Sequence, residues 1–456
     1  MNNNITGGVI WKQLLLFFFP IWFGTFFQQL YNTADAVIVG NFVGKGALAA
    51  VGTTAVVQNL LVGFFVGVAS GASVVISQYY GARQGAQVQR AVHTAMAMAL
   101  LGGVGIMLIG LAASRWALSI MNTPADVMED AVLYLRICFL GMVPSLIYNM
   151  GTGILRAVGD SKRPLYFLIC ASLTNIVLDM VLVAILGMGV AGAALATVAS
   201  QCVAAGMTVM SLTHTTACYR FVPAYLQLDK EMVEKIVRIG LPAGLQSVMY
   251  SLSNSVVQTS INSFGTDVVA AYTAYGKIDS IFWMTMNSFG LSITTFVGQN
   301  FGAGQYDRVK KGVRQCALMA FVATGLLMAV TLAFGSALFR LFVQDAPVIQ
   351  QGVEILHYVV PFWPTYVLIE ILSGSVRGAG DSLIPMIMTS IGVCVTRILW
   401  VLTVVAAVWH TLIGALACYP VSWSLTSLFF LAYSLQGGWL RRCIRVREAA
   451  QTEQPA

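Results

Sequence analysis

Charge is what this chain has least of. Only 9% of its 456 residues are charged against 58% apolar, and the mean hydropathy is +0.79. Soluble domains carry roughly 25% charged residues. A chain this poor in charge cannot cover a water-facing surface of its own size, so its solvent is a lipid bilayer. Its four histidines are isolated, with no partner at metal-ligand spacing. The eight cysteines include no CxxC, and most fall inside apolar runs, where Cys acts as a small hydrophobe. Neither a zinc site nor a disulfide framework is indicated. No GxxxxGK[ST] segment occurs, so direct ATP hydrolysis is unsupported. The lack of HExxH or a paired His and Asp cluster weighs against a polytopic membrane enzyme. A net charge of +7 is spread over many short loops, without a basic arm or an aromatic-basic stripe, so no nucleic-acid partner is expected. No cofactor is expected either.

What is present is repetition. The segment LRAVGDSKRP (155–164) returns 221 positions later as VRGAGDSLIP (376–385), with Arg, Gly, Asp, Ser and Pro in register. At the same shift QYYGARQG (78–85) becomes QNFGAGQY (299–306), where Gln78, Gly81, Ala82 and Gln84 find identical partners. Apolar helices resemble one another by chance because they draw on few residue types. These matches lie in short polar segments, where chance explains little, so the chain is two copies of one membrane module. In the Arg-x-x-Gly-Asp-Ser loops, Gly supplies permissive backbone, Asp and Ser cap the next helix, and Pro164 or Pro385 opens its first turn.

A span needs ~20 largely apolar residues. Twelve are predicted, near 13–39, 47–77, 91–113, 130–154, 163–187, 190–213, 238–264, 268–297, 312–338, 352–374, 384–408 and 411–435. The fold class is therefore an all-α polytopic membrane protein, with twelve transmembrane helices in two six-helix lobes. Residues 1–12 form the N-terminus, 13–213 the N-lobe, 214–237 a linker, 238–436 the C-lobe and 437–456 a tail, disordered at its end. With the N-terminus inside, the inner loops hold nineteen Lys and Arg, and the outer loops hold only Lys45, Arg115 and Arg340. Both termini are thus expected in the cytoplasm. Six spans per copy preserve the sense of insertion, which implies a pseudo-two-fold axis along the membrane normal and a cleft between the halves.

Carboxylates inside a bilayer cost on the order of 2.5–3.5 kcal/mol each on insertion scales, so each calls for an explanation. Asp35 lies late in the first span. Asp179 lies in span five, four residues after Asn175, which puts both side chains on one helical face. Thr197 adds a hydroxyl in span six. Under the repeat, Asp35 maps to Val257, Asn175 to Thr396 and Asp179 to Trp400. The second copy keeps the scaffold and drops the acids, which favours a cation or proton site in the first half over local capping. Burial penalises ionised carboxyls, and proximity adds to that penalty. A proton or a hard monovalent cation relieves both. Pro20, inside the first span, removes one helical hydrogen bond and offers a place to bend.

Weaker leads remain. Glu370 in span ten and Lys277 or Asp279 in span eight are candidates to line the cleft, and Arg397 stands near the lost acidic site as a partner for one of these acids. Arg136 reads as an interfacial residue. Gln28, Tyr31, Asn32, Tyr148 and Asn149 form polar and aromatic patches that fit ligand contact or interhelical hydrogen bonds equally well.

The twelve spans, the twin LRAxGD-type loops and the twin Gln-x-x-Gly-Ala segments resemble the multidrug and toxic compound extrusion (MATE) family, over roughly residues 12–436. Asp35, Asn175, Asp179 and Thr197, with Pro20, resemble the cation-coupling site of its DinF-like branch. The resemblance implies a V-shaped two-lobe fold in the bacterial inner membrane. It also implies export of organic cations and amphipathic drugs in exchange for H+ or Na+, with Na+ held by those four residues. Gln28, Tyr31, Asn32, Asn149, Asp279 and Glu370 are the expected cleft contacts, and no obligate protein partner is evident. The NorM-like branch carries acids on spans seven and ten. Here span seven has none and Glu370 is out of place, so coupling is expected in the first lobe. The alternative, a lipid-linked oligosaccharide flippase of the same superfamily, calls for several cleft cations, where this chain offers only Lys277 and Arg397.

Overall fold

With no water to satisfy backbone N–H and C=O groups, a spanning chain of this length must be helical or a closed barrel. Among the described residues this one forms helices and no strand. The computed structural model describes residues 5–121, 123–436 and 438–452. Asn2, Asn3 and Asn4, and the last four residues of the expected disordered tail, lie outside the described residues.

The first copy runs α1 (Ile10–Phe42), α2 (Lys45–Gly81), α3 (Gly85–Ile120), α4 (Met128–Leu140), α5 (Met142–Ala157), α6 (Lys162–Asp179) with a π-helical turn Met180–Ile185, and α7 (Gly189–Thr213). The second runs α8 (Lys230–Asn262), α9 (Thr266–Gly302), α10 (Tyr306–Ala333), α11 (Gly335–Arg340), α12 (Ala346–Val359), α13 (Trp363–Gly378), α14 (Leu383–Thr389), α15 (Thr396–Trp400), α16 (Leu412–Leu416) and α17 (Cys418–Leu435). Two further π turns, Ser390–Val395 and Val401–Val405, flank α15. These elements make the twelve expected passages. Among the described residues nine helices are long and apolar enough to span by themselves, and ten if α4 and α5, bent by 47° about Gly141, count as one. The two that fall short are α8 and α9, rich in Ser, Gln and Asn, with Lys277 and Asp279 in the latter.

Both repeated motifs fold alike. Asp160 Oδ1 accepts the backbone N–H of Lys162 and Arg163, each at 3.1 Å; Asp381 Oδ1 accepts those of Leu383 and Ile384 at 3.1 and 3.3 Å. Gly159 and Gly380 take φ of 92° and 101°, a conformation natural to glycine. The expected serine caps do not form: neither Ser161 nor Ser382 makes a side-chain cap bond, because the aspartate one residue earlier already holds the free N–H groups. At the other motif, Ala82 and Ala303 N–H donate to Gln78 and Gln299 carbonyls at 2.9 Å. The next position is left-handed in both copies, as Arg83 (φ 59°) and Gly304 (φ 72°).

Two compact units divide the chain, one spanning Leu16–Gly244 and the other Ile5–Leu15 with Leu245 onwards. In the first, Ala69, Val75, Ile76, Val88, Met96, Leu146 and Ile154 form a core that extends to Met232 and Ile236. The linker packs on this unit: the Val222 N–H donates to His93 Nε2 at 3.0 Å, and Arg90 binds Asp229. In the second, Phe282, Phe289, Phe296, Phe339, Trp363 and Trp423 are fully buried. The tail carries an element that the sequence reading did not place. Gly438–Thr452 is a helix, α18, because Trp439, Leu440 and Cys443 recur at helical spacing and bury together. Its Arg447 donates to the carbonyls of Phe301 and, at 2.8 Å, Gly302 at the end of α9.

Candidate functional site

Asp179 closes the α-helical part of α6. Phe167, Ala171, Asn175 and Asp179 recur every four residues and are all buried, so the carboxylate rides on the face that packs against α7. Directly after it the helix widens into a π turn. The same turn recurs 221 positions on, after Trp400, where no acid exists. It is therefore a property of the repeated scaffold, and the acid was placed beside it in one copy.

Asp35, half-buried on α1, brings its carboxyl within hydrogen-bonding reach of Asp179. Asp179 is 0% exposed. Asp35 Oδ1, both Asp179 oxygens and both polar atoms of the Asn175 amide have no hydrogen-bond partner. Two ionised carboxyls have no proton to share, so one proton between them, or one cation, supplies what the pair lacks. Thr197 differs from its neighbours here: its hydroxyl donates along its own helix to Ala193 C=O at 3.1 Å. α1 runs unbroken through Pro20, as α8 does through Pro242.

Sequence reasoning missed Gln58, Tyr134 and Cys138. Tyr134 feels the charge of both acids, and the Cys138 thiol one turn on and Gln58 lie near it. Gln58 sits inside the apolar run AVVQNLLVG, which was the available signal.

The other expected site residues fall into separate groups, one of which joins Asp279 to Glu370 through the Trp283 and Tyr366 rings, 4.7 Å apart. Gln28 and Tyr31 are hydrogen-bonded on α1, where Tyr31 feels Asp35. Asn32 is exposed, and its amide donates to Gln29 at 3.4 Å. Asn149 lines an apolar cavity of about 300 Å³ with Phe65, Val68, Met98, Leu146 and Leu228. In the second unit, Asp279 Oδ2 accepts the Trp283 indole N–H at 2.6 Å. Glu370 accepts the Tyr366 hydroxyl at 3.2 Å and lies against Gly290, where any side chain would overlap it. Among the described residues Arg397 forms no ion pair with an acid, against expectation; Asn254 and Ser422, which approach it from α8 and α17, take its hydrogen bonds instead.

A duplicated helical membrane scaffold, with a carboxyl pair in one copy that the other replaces by Val257 and Trp400, is the architecture of a secondary transporter. The chain belongs to the MATE family: the MatE family profile matches residues 20–181 and again 242–405, one match per copy. It is 28% identical over 439 residues to the probable multidrug resistance protein YoeA of Bacillus subtilis strain 168, covering 93% of each chain. It is 24% identical to the probable multidrug resistance protein NorM of Thermotoga maritima, covering 96% and 95%. The solved structure of a MOP superfamily transporter from Pyrococcus furiosus matches its fold with a TM-score of 0.89 at 23% identity, over 96% of this chain and 98% of that one. The protein is thus a polytopic membrane transporter, not an enzyme.

Proposed function

We propose that the protein is a secondary antiporter of the bacterial inner membrane, closest to the DinF-like branch, with both termini in the cytoplasm. It exports organic cations or amphipathic molecules in exchange for a proton taken up at the Asp35–Asp179 pair. The observation that carries this reading is the pair itself: two carboxyls in reach of one another, one fully buried, with no donor on three of their four oxygens. Uptake of one proton removes the repulsion and creates the missing hydrogen bond. The energy of the helix arrangement then changes with occupancy, which is what coupling requires. Sodium is the alternative, supported by the unpartnered Asn175 amide oxygen on the same helical face. The multidrug resistance relatives support the cargo class. A lipid-linked flippase is less well supported, since of the two cations expected in the cleft Lys277 is exposed and only Arg397 is buried.

The test is efflux of ethidium from proteoliposomes under an imposed pH gradient or an imposed sodium gradient, with wild type, Asp35→Asn and Asp179→Asn. Both variants are expected to insert and run as single species, yet to lose gradient-driven efflux. Response to the sodium gradient alone would replace the proton by Na+. Unchanged efflux in both variants would remove these acids from the mechanism.

A further inference from the structure

The second unit carries the opposite charge in the corresponding span. Arg397 stands 221 positions after Ile176, beside the repeat partner of Asn175. Its side chain is 1% exposed. Nε donates to Ser422 Oγ at 3.1 Å and Nη1 to Asn254 Oδ1 at 2.9 Å. The guanidinium carbon lies 4.4 Å from the centre of the Tyr419 ring and 5.8 Å from that of Trp423. Nη2 finds no acceptor, and neither does the indole N–H of Trp423, itself 1% exposed. Two donors on neighbouring buried groups are thus unpartnered. Asp279 is the nearby acid and acts on Arg397 through space without an ion pair; its Oδ2 accepts from Trp283, and its Oδ1 has no hydrogen-bond partner.

Neutral acceptors and ring faces soften a buried positive charge without cancelling it. A guanidinium already fixed by two hydrogen bonds, with one arm of its planar fork left over, is shaped for an anion. The Tyr419 and Trp423 rings beside it, with Tyr272 hydrogen-bonded to Tyr419 at 2.7 Å, would flank a planar group attached to that anion.

We propose that Arg397 and Trp423 form an anion site in the second unit, which takes a compact monovalent anionic group: the carboxylate of an aromatic cargo, or a free halide. The site is independent of cation exchange at Asp35 and Asp179. Its acceptor atoms receive Arg397 Nη2–H and Trp423 Nε1–H together.

The test uses purified full-length protein in detergent with gluconate as the buffer anion, and two tracers, radiolabelled benzoate and radiolabelled chloride. Saturable binding of at least one is expected. Benzoate displaced by chloride assigns both to one site; benzoate alone assigns a cargo carboxylate; chloride alone assigns an inorganic counter-ion. Arg397→Met is expected to weaken binding by about 30-fold or more, the loss typical of removing a desolvated charged partner. Trp423→Phe keeps the ring and removes one donor, for a loss of about tenfold; it decides the matter alone if Arg397→Met fails to run as a single species. Asp35→Asn is expected to bind like wild type, which separates this site from the exchange reading. The proposal is overturned if neither tracer binds saturably to wild type, or if either variant at the anion site binds as tightly as wild type.

Discussion

Asp229 joins the linker to the first unit in two ways, and the two can be separated. Its Oδ1 accepts the Met232 N–H at 3.2 Å at the start of α8, and its Oδ2 accepts Arg90 Nε and Nη2 at 2.9 and 2.5 Å. Its own N–H donates to Thr94 Oγ1 at 3.2 Å. Loss of an aspartate cap costs about 1 kcal/mol. The ion pair adds ~0.2–1 kcal/mol, towards the lower end because the Arg90 side chain is 37% exposed. Asp229→Ala should therefore destabilise by about 1–2 kcal/mol in thermal unfolding of the detergent-solubilised protein, and should raise amide hydrogen exchange across 214–235. Asp229→Asn keeps the cap and loses the charge, so it should cost well under half as much. The hydrogen bond from Arg90, helped by the Met232 N–H, holds this carboxyl below the usual range. Its contribution is then complete above the unfolded-chain value of about 3.9 and fades as pH falls through the lower folded value. The Asp229→Ala difference should be flat from mildly acidic to neutral pH and shrink only in strong acid. An Asn variant as damaged as the Ala variant would refute the capping argument. A difference that grows on acidification would refute the ion-pair argument.

Three more outcomes follow from close packing and backbone geometry. A Cβ on Gly240 would lie 2.8 Å from Val68 Cα and carbonyl oxygen, backbone that cannot swing aside, so Gly240→Ala should cost ~1–3 kcal/mol in the same unfolding assay. Arg83 is exposed and left-handed where its repeat partner is Gly304, so Arg83→Gly should raise stability by roughly 0.5–1 kcal/mol without altering efflux. Asp160→Ala and Asp381→Ala each remove the same cap from a different copy; each should cost about 1 kcal/mol, and together they should add, since distant sites do.

Much of this molecule was legible because its turns are demanding. A glycine at positive φ and an aspartate facing free N–H groups leave few alternatives, which is why both motifs can be paired from the sequence. Span count was legible from hydropathy, though α8 and α9 pass only weakly, and the bend at Gly141 inside span four was not foreseen. α18 was missed because four arginines dominate its composition while Trp439, Leu440 and Cys443 make its buried stripe. At the site, the i, i+4 relation of Asn175 and Asp179 is a local fact and could be read. That Asp35 reaches Asp179 is a long-range fact, fixed by how two helices approach, and no spacing encodes it. Gln58, Tyr134 and Cys138 escaped for the same reason: each is a single polar group in an apolar run, meaningful only beside the others.

The same long-range geometry predicts how function and stability trade against each other. Asp179 is fully buried and neither oxygen has a donor, so its carboxylate contributes no hydrogen bond to the fold and faces a second carboxyl. In Asp179→Asn the new amide can donate to the Asp35 carboxylate. A hydrogen bond to a charged group is worth about 1.5–3 kcal/mol. The variant that abolishes exchange should therefore unfold at a higher temperature than wild type at alkaline pH, and the gap should narrow as pH falls and a proton on the native pair supplies the same bond. Asp35→Asn should behave alike but more weakly, because Asp35 is only half-buried. A group kept for stability cannot behave this way: its loss would lower the unfolding temperature at every pH where it is ionised. If Asp179→Asn is less stable than wild type throughout, Asp179 is a structural residue and the exchange site must lie elsewhere.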